Sequence, residues 1–262
     1  MYIKSAFNLY MKIFWKLSYK LLTVGLSSQL LIFAFSAKAE DSQSNRSRIL
    51  STPIQFEPPP DGEPPDTSGG GSRDPEQSRC SSNQEPIKAL MPKGNFGWTL
   101  QEIPSIYVYL PKTSAKQVVL AFQDETEEYH ETVFLPIKAD ERVVSFSLPK
   151  DRPSLEIGKN YKWKLALVCG DVVDVEHPQL EGWVKRIDAN SINTNLKGKS
   201  AIEQAQWYAK NGYWYDLIKV LKEARQANPN DNRLNLLWSD LLKKIDIKIR
   251  YNTTDKQNDK VK

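Results

Sequence analysis

Imidazole and thiol are scarce in this chain, which has two histidines and two cysteines in 262 residues. Zinc sites draw on several nitrogen or sulfur ligands and calcium loops on oxygen ligands at regular offsets, and neither pattern is spelled here. No Gly-x-Ser-x-Gly elbow nominates a nucleophilic serine. The glycine run Gly69-Gly70-Gly71-Ser72-Arg73 lacks the Gly-Lys-Ser/Thr ending of a phosphate loop and reads as flexible linker. These absences point away from an enzyme and imply neither a catalytic residue, a metal nor a cofactor.

Acidic residues are missing from the first 39 positions, which carry Lys4, Lys12, Lys16, Lys20 and Lys38. An apolar stretch runs from Leu21 to Phe35, and Ala37-Lys38-Ala39 follows it. Basic, apolar, small-x-small is the order of a secretory signal, with cleavage expected after Ala39. The roughly 15-residue apolar core is short of the ~20 that span a bilayer, although slippage toward Phe14 and Trp15 would let the segment serve as a retained anchor. No second run of spanning length follows. The cleaved product is therefore expected in the periplasm or outside the cell, with no membrane span.

An excess of one charge is missing as well. The formal net charge is +4, but five cations and no anion precede Glu40, leaving 31 Lys and Arg against 32 Asp and Glu beyond it. Without a basic field the main source of nucleic-acid affinity is lacking, so no nucleic-acid partner is expected. Residues 243–262 are locally basic, with seven cations against three anions, and the end from 248 to 262 reads as a solvated flexible tail.

Cys80 and Cys169 both lie beyond the signal. An even count in an exported chain is expected to be oxidised, and a bridge closing so long a loop restricts the unfolded chain by about 4–5 kcal/mol in the chain-entropy model. The alternative is one buried and one reactive thiol.

The rest divides by pattern. Residues 40–79 are poor in apolar side chains and crowded with breakers such as Pro58-Pro59-Pro60 and Pro64-Pro65, the composition of a disordered linker. Residues 80–190 hold short β-rich runs between turn signals: 99–103, 106–110, 118–124, 130–135, 143–148, 161–169 and 180–187. This is the spacing of a mainly β, immunoglobulin/fibronectin-like antiparallel β-sandwich. In the sixth run Tyr161, Trp163, Leu165, Leu167 and Cys169 alternate with Lys162 and Lys164, the period of a half-buried strand. Leu155 and Gly158 stand before Tyr161 as in the corner of Greek-key sandwiches, where the phenol closes a backbone hydrogen bond.

Residues 191–247 form a short C-terminal α-helical segment, with helices predicted over 201–210, 213–227 and 231–245. Asn228-Pro229-Asn230-Asp231 is expected to end one helix and cap the next. Tyr208, Gly212, Trp214, Leu221, Ala224 and Pro229 fall in the register of one tetratricopeptide unit, too few for a solenoid, so the helices are expected to pack on the sandwich or on a partner. Trp207, Trp214 and Trp238 would supply the buried area.

Several short motifs occur in a telling order: Cys80, Ala89-Leu90-Met91-Pro92, Gly97-Trp98-Thr99-Leu100, Leu167-Val168-Cys169, Glu181-Gly182-Trp183, Asn211-Gly212-Tyr213-Trp214-Tyr215-Asp216 and Asn228-Pro229-Asn230-Asp231. With them the chain resembles the cyanobacterial domain-of-unknown-function family 928. The resemblance implies an exported protein of a photosynthetic bacterium and carries over no catalytic residue.

Three constellations remain. Asp124, Glu125, Glu127, Glu128 and Glu131 surround His130 and read as a solvated hairpin tip rather than a metal site. His177 follows Asp171 and Asp174 in a loop where a triad would be conceivable only with an unnominated serine. Trp98, Tyr107 and Tyr109 read as sheet core, with a carbohydrate or peptide platform as the alternative. The expected function is an exported binding and interaction module whose helical segment docks a protein partner of the cell envelope. The alternative is an envelope polymer hydrolase using carboxylates such as Glu128, or His177.

Overall fold

The computed structural model describes residues 53–62, 64, 86–126, 129–138, 142–168, 180–192 and 194–247. Ala39, Cys80, Cys169, Glu127, Glu128 and His177 lie outside them, and with them the expected cleavage site and disulfide.

Alternation of apolar and polar side chains builds the larger sheet. In β7 (Asn160–Val168), Tyr161, Trp163 and Leu165 are buried while Lys162 and Lys164 are partly exposed, as their spacing predicts. β7 pairs antiparallel with β4 (Gln117–Asp124), which pairs in turn with β5 (His130–Pro136). On its other side β7 pairs antiparallel with β8 (Leu180–Arg186), and β8 pairs in parallel with β2 (Phe96–Thr99). The order is β2-β8-β7-β4-β5. A second, three-stranded sheet joins β1 (Lys88–Ala89), β3 (Ile106–Tyr109) and β6 (Val143–Phe146), all antiparallel. Among the described residues the fold is thus mainly β, with eight strands in two sheets and three α-helices.

Six of the expected strands appear with shifts of a few residues, and three differences have physical causes. The strand expected at 99–103 ends at Thr99, because the Thr99 hydroxyl accepts the Gln101 amide at 3.1 Å and turns the chain. β1, with two residues, is too short for any alternation to announce it. The β2–β8 pair is parallel where antiparallel pairing was expected; side-chain alternation carries no information about direction.

The loop into β7 closes as its Leu-Gly-Tyr spacing predicts. Tyr161 Oη accepts the Glu156 amide at 3.0 Å, Leu155 is wholly buried, and Gly158 takes the left-handed conformation at φ +83°.

The helices are α1 (Ala201–Lys210), α2 (Trp214–Ala227) and α3 (Asn232–Lys244). Ser200 and Glu203 form a capping box on α1, and Asn228 and Asp231 end α2 and cap α3 as expected. The Arg225 guanidinium lies over the Trp238 ring at 5.2 Å and its Nε donates to Asn235, tying α2 to α3.

Part of the expected linker behaves otherwise. Residues 53–62 run as a strap along the helices and β8: Lys244 Nζ donates to Ile54 O at 2.6 Å, Glu57 N to Ala209 O at 2.9 Å, and Asp61 pairs with Lys185. The Phe56 ring meets Trp214 edge-on at 4.9 Å, and Ile54 and Pro59 are buried. Low average hydrophobicity predicted disorder, but a few apolar side chains placed on an aromatic surface suffice to hold an extended segment.

Candidate functional site

Three consecutive residues at the start of α2 join helices to sheets. Trp214 Nε1 donates to Leu90 O at 2.7 Å. Tyr215 Oη accepts from Trp163 Nε1 at 2.7 Å and donates to Trp183 O at 2.9 Å, bridging β7 and β8. Asp216 Oδ2 accepts the Leu100 amide at 3.0 Å, and Trp98 N–H donates to Gly212 O at 2.8 Å. The outer edge of β2 is thereby closed by a helix turn and a carboxylate, where an open edge would invite another strand.

Such close approach depends on Gly97. A Cβ there would lie 2.5 Å from Trp214 Cβ, inside any real contact. Gly212 serves the turn in another way: its φ of +78° is the left-handed conformation, and an added Cβ would lie 3.0 Å from Pro59 Cγ of the strap.

Asp216 is buried at 7 % exposure, and desolvation pushes its carboxyl up to about 6, against the Leu100 amide, the Thr99 hydroxyl and Lys219, which favour the charged form. Burial likewise raises the phenols of Tyr208, to about 12, and Tyr213, with the Asp216 charge adding to both. An anion in the first turn of a helix is unremarkable from sequence. Nothing there reveals that this one reaches across to another element.

Beside this junction lies a cavity of about 500 Å³. The strap contributes Pro58 and Pro60, β2 contributes Trp98, and α1 with its turn contributes Trp207 and Tyr213. Trp207 and Tyr213 stack at 5.3 Å with planes 20° apart, and Trp98 meets Tyr213 edge-on at 5.6 Å. Exposed Glu57, Lys210 and Asn211 also line it. Trp98 Nε1 is buried without a hydrogen-bond partner.

Of the three platform candidates, Tyr107 and Tyr109 are buried, at 7 % and 6 % exposure, while partly exposed Trp98 reaches the cavity. The described members of the acidic cluster each have a partner of their own. Asp124 is buried and accepts from Thr126, Glu125 accepts from Asn160, and Glu131 pairs with Arg152 at 3.4 Å. His130 is exposed, 3.5 Å from the Thr132 hydroxyl. Among the described residues no three His, Cys, Asp or Glu side chains gather as a metal set would, and no helix is long and apolar enough to cross a membrane. Trp207, Tyr213, Asp216 and the strap residues were not singled out as site residues by sequence: Tyr213 and Asp216 stood only within the Asn211–Asp216 motif, and Trp207 only among the aromatics expected to be buried.

No curated protein matches the chain. Four of the segments whose order carried the resemblance, through Leu90, Gly97 to Leu100, Trp183 and Gly212 to Asp216, meet at the junction just described. A family model described as Domain of Unknown Function (DUF928) matches residues 68–256, a span holding every described strand and helix, and the chain belongs to that family.

Proposed function

We propose that this protein is an exported binding module that captures a component of the cell envelope in the cavity between strap, β2 edge and helical turn. The observation that carries the reading is that cavity. Its size falls within the roughly 300–1,000 Å³ range of small-ligand sites, and it sets the aromatic rings of Trp98, Trp207 and Tyr213 beside polar Glu57, Thr194, Lys210 and Asn211. The basic, apolar, small-x-small order of residues 1–39 supports export to the periplasm or surface, and the family resemblance supports a cyanobacterial envelope. In that compartment Cys80 and Cys169 form one disulfide.

The body that presents the cavity is, in this reading, an immunoglobulin/fibronectin-like sandwich. Support comes from β3 and β6 lying in one sheet and β4, β7 and β8 in the other, the division of strands in such modules, and from the Tyr161 corner at the head of β7. The helices were expected to pack on the sandwich or on a partner, with the segment docking a protein of the cell envelope. α2 packs on β2 and the helices pack on one another, so this reading puts the binding surface at the cavity.

The test is saturable binding of labelled chain to isolated envelopes, repeated with the double variant Trp207→Ala, Lys210→Glu. The reading expects binding to fall at least tenfold while the circular dichroism spectrum is kept. Binding of equal strength by the folded variant would overturn it.

A further inference from the structure

The cavity is lined by one carboxylate, Glu57, and one ammonium, Lys210, so its formal charge balances. That balance gives no preference for a phosphate or a cation. The charged and amide groups of Glu57, Lys210 and Asn211 are poor company for an alkyl chain, whose burial would strip them of water without replacing their hydrogen bonds. What remains is a neutral ligand with both an apolar face and many hydroxyls.

We propose, building on the binding role above, that the ligand is a neutral saccharide. A pyranose ring carries C–H groups on one face and hydroxyls around its rim. The C–H face is attracted to the negative face of an aromatic ring and loses apolar surface to it. Trp98 and Trp207 are each only partly buried and both line the cavity, one from the sheet and the other from α1. The hydroxyls are matched by a mixed set of groups: a carboxylate acceptor, an ammonium donor, the Asn211 amide and the Ser191 and Thr194 hydroxyls.

A proline-rich peptide is the competing occupant, since such peptides dock on aromatic grooves. Here that role is filled from within. Pro58 and Pro60 of the strap line the same cavity as the aromatic rings, and Pro59 packs on Gly212. A polyproline helix has carbonyl acceptors but no N–H donors and leaves the Glu57 carboxylate unmatched, whereas saccharide hydroxyls both donate to it and accept from Lys210.

The experiment titrates the full chain with cellobiose, maltotriose and N,N′-diacetylchitobiose by calorimetry and tryptophan fluorescence, with a decaproline peptide in parallel. Glu57→Gln and Lys210→Ala serve as variants because both side chains are exposed and leave the fold intact; Trp207→Ala adds loss of the stacking face. The expected result is saturable binding of at least one saccharide, weakened about tenfold by each polar variant and more by Trp207→Ala. No binding of any saccharide at millimolar concentration, or binding indifferent to all three variants, would overturn the assignment. Decaproline binding weakened by the same variants would also overturn the saccharide while leaving the binding role standing. If, in addition, envelopes bind the pocket variant as well as the parent, the binding role falls with it.

Discussion

Tyr215→Phe removes one oxygen from the centre of the junction and disturbs little else in shape. The phenol is fully buried, and desolvation raises its pKa far above the usual phenol value, so it is a neutral hydroxyl at any ordinary pH. Its loss strands the Trp163 indole N–H, which donates to it at 2.7 Å, and withdraws the donor from Trp183 O at 2.9 Å. A buried indole donor left unsatisfied costs about 1–3 kcal/mol, and the carbonyl, which keeps a second lone pair for other partners, about 0.5–1.5 kcal/mol. The total of about 1.5–4.5 kcal/mol corresponds to a drop in Tm of roughly 3–18 °C for a body of this size. Thermal and urea unfolding should be followed by far-ultraviolet circular dichroism, which sees the helices, and by tryptophan fluorescence, which sees Trp163 and Trp183. Both probes should shift together, because the oxygen links α2 to β7 and β8. An unchanged Tm, or a shift in the helical signal alone with a separate sheet transition, would refute the reasoning.

Three further outcomes follow from the same geometry. The Asp216 carboxyl is raised from 3.8 to about 6 in the folded chain, so the folded state binds its proton more tightly than the unfolded state. Its contribution is fully present below about pH 4 and is lost as pH rises through about 6, by about 3 kcal/mol at most. Asp216→Asn keeps an acceptor for the Leu100 amide and should flatten the decline of urea stability between pH 4 and 7; an identical slope in both proteins would contradict the assignment. Gly97→Ala places a methyl 2.5 Å from Trp214 Cβ and should cost about 1–3 kcal/mol through overpacking, read as a lower urea midpoint; no change there would mean that α2 does not sit against β2. Alkylation with mass analysis should label Cys80 and Cys169 only after reduction, whereas labelling of the unreduced protein would rule out their bridge.

Much of this architecture was legible in sequence where a physical signal is local. Alternation in 161–168 marked β7, the Leu155, Gly158 and Tyr161 spacing marked its corner, and Asn228 to Asp231 marked the boundary between α2 and α3 within a residue or two. What escaped depended on distant pairing. The two residues of β1 carry no period, and the direction of β2 beside β8 is set by the path of the chain between them. The strap was misread because composition averages over Ile54, Phe56 and Pro59, whose value lies in the surfaces they meet. For the site, Trp98 was noticed as an aromatic that could face a ligand. Its companions Trp207 and Tyr213 lie more than a hundred residues away in sequence, and only the folded turn brings them to it.

The central claim is that strap, sheets and helical turn form one body, with the β2 edge closed by α2 and the cavity formed at that seam. Native-state hydrogen exchange at the Trp98 and Leu100 amides tests it most directly, since their acceptors are Gly212 O and the Asp216 carboxylate. The account predicts that both exchange only through global opening, with protection matching that of the β7 core amides. Fast exchange at these two amides while β7 stays protected would contradict it.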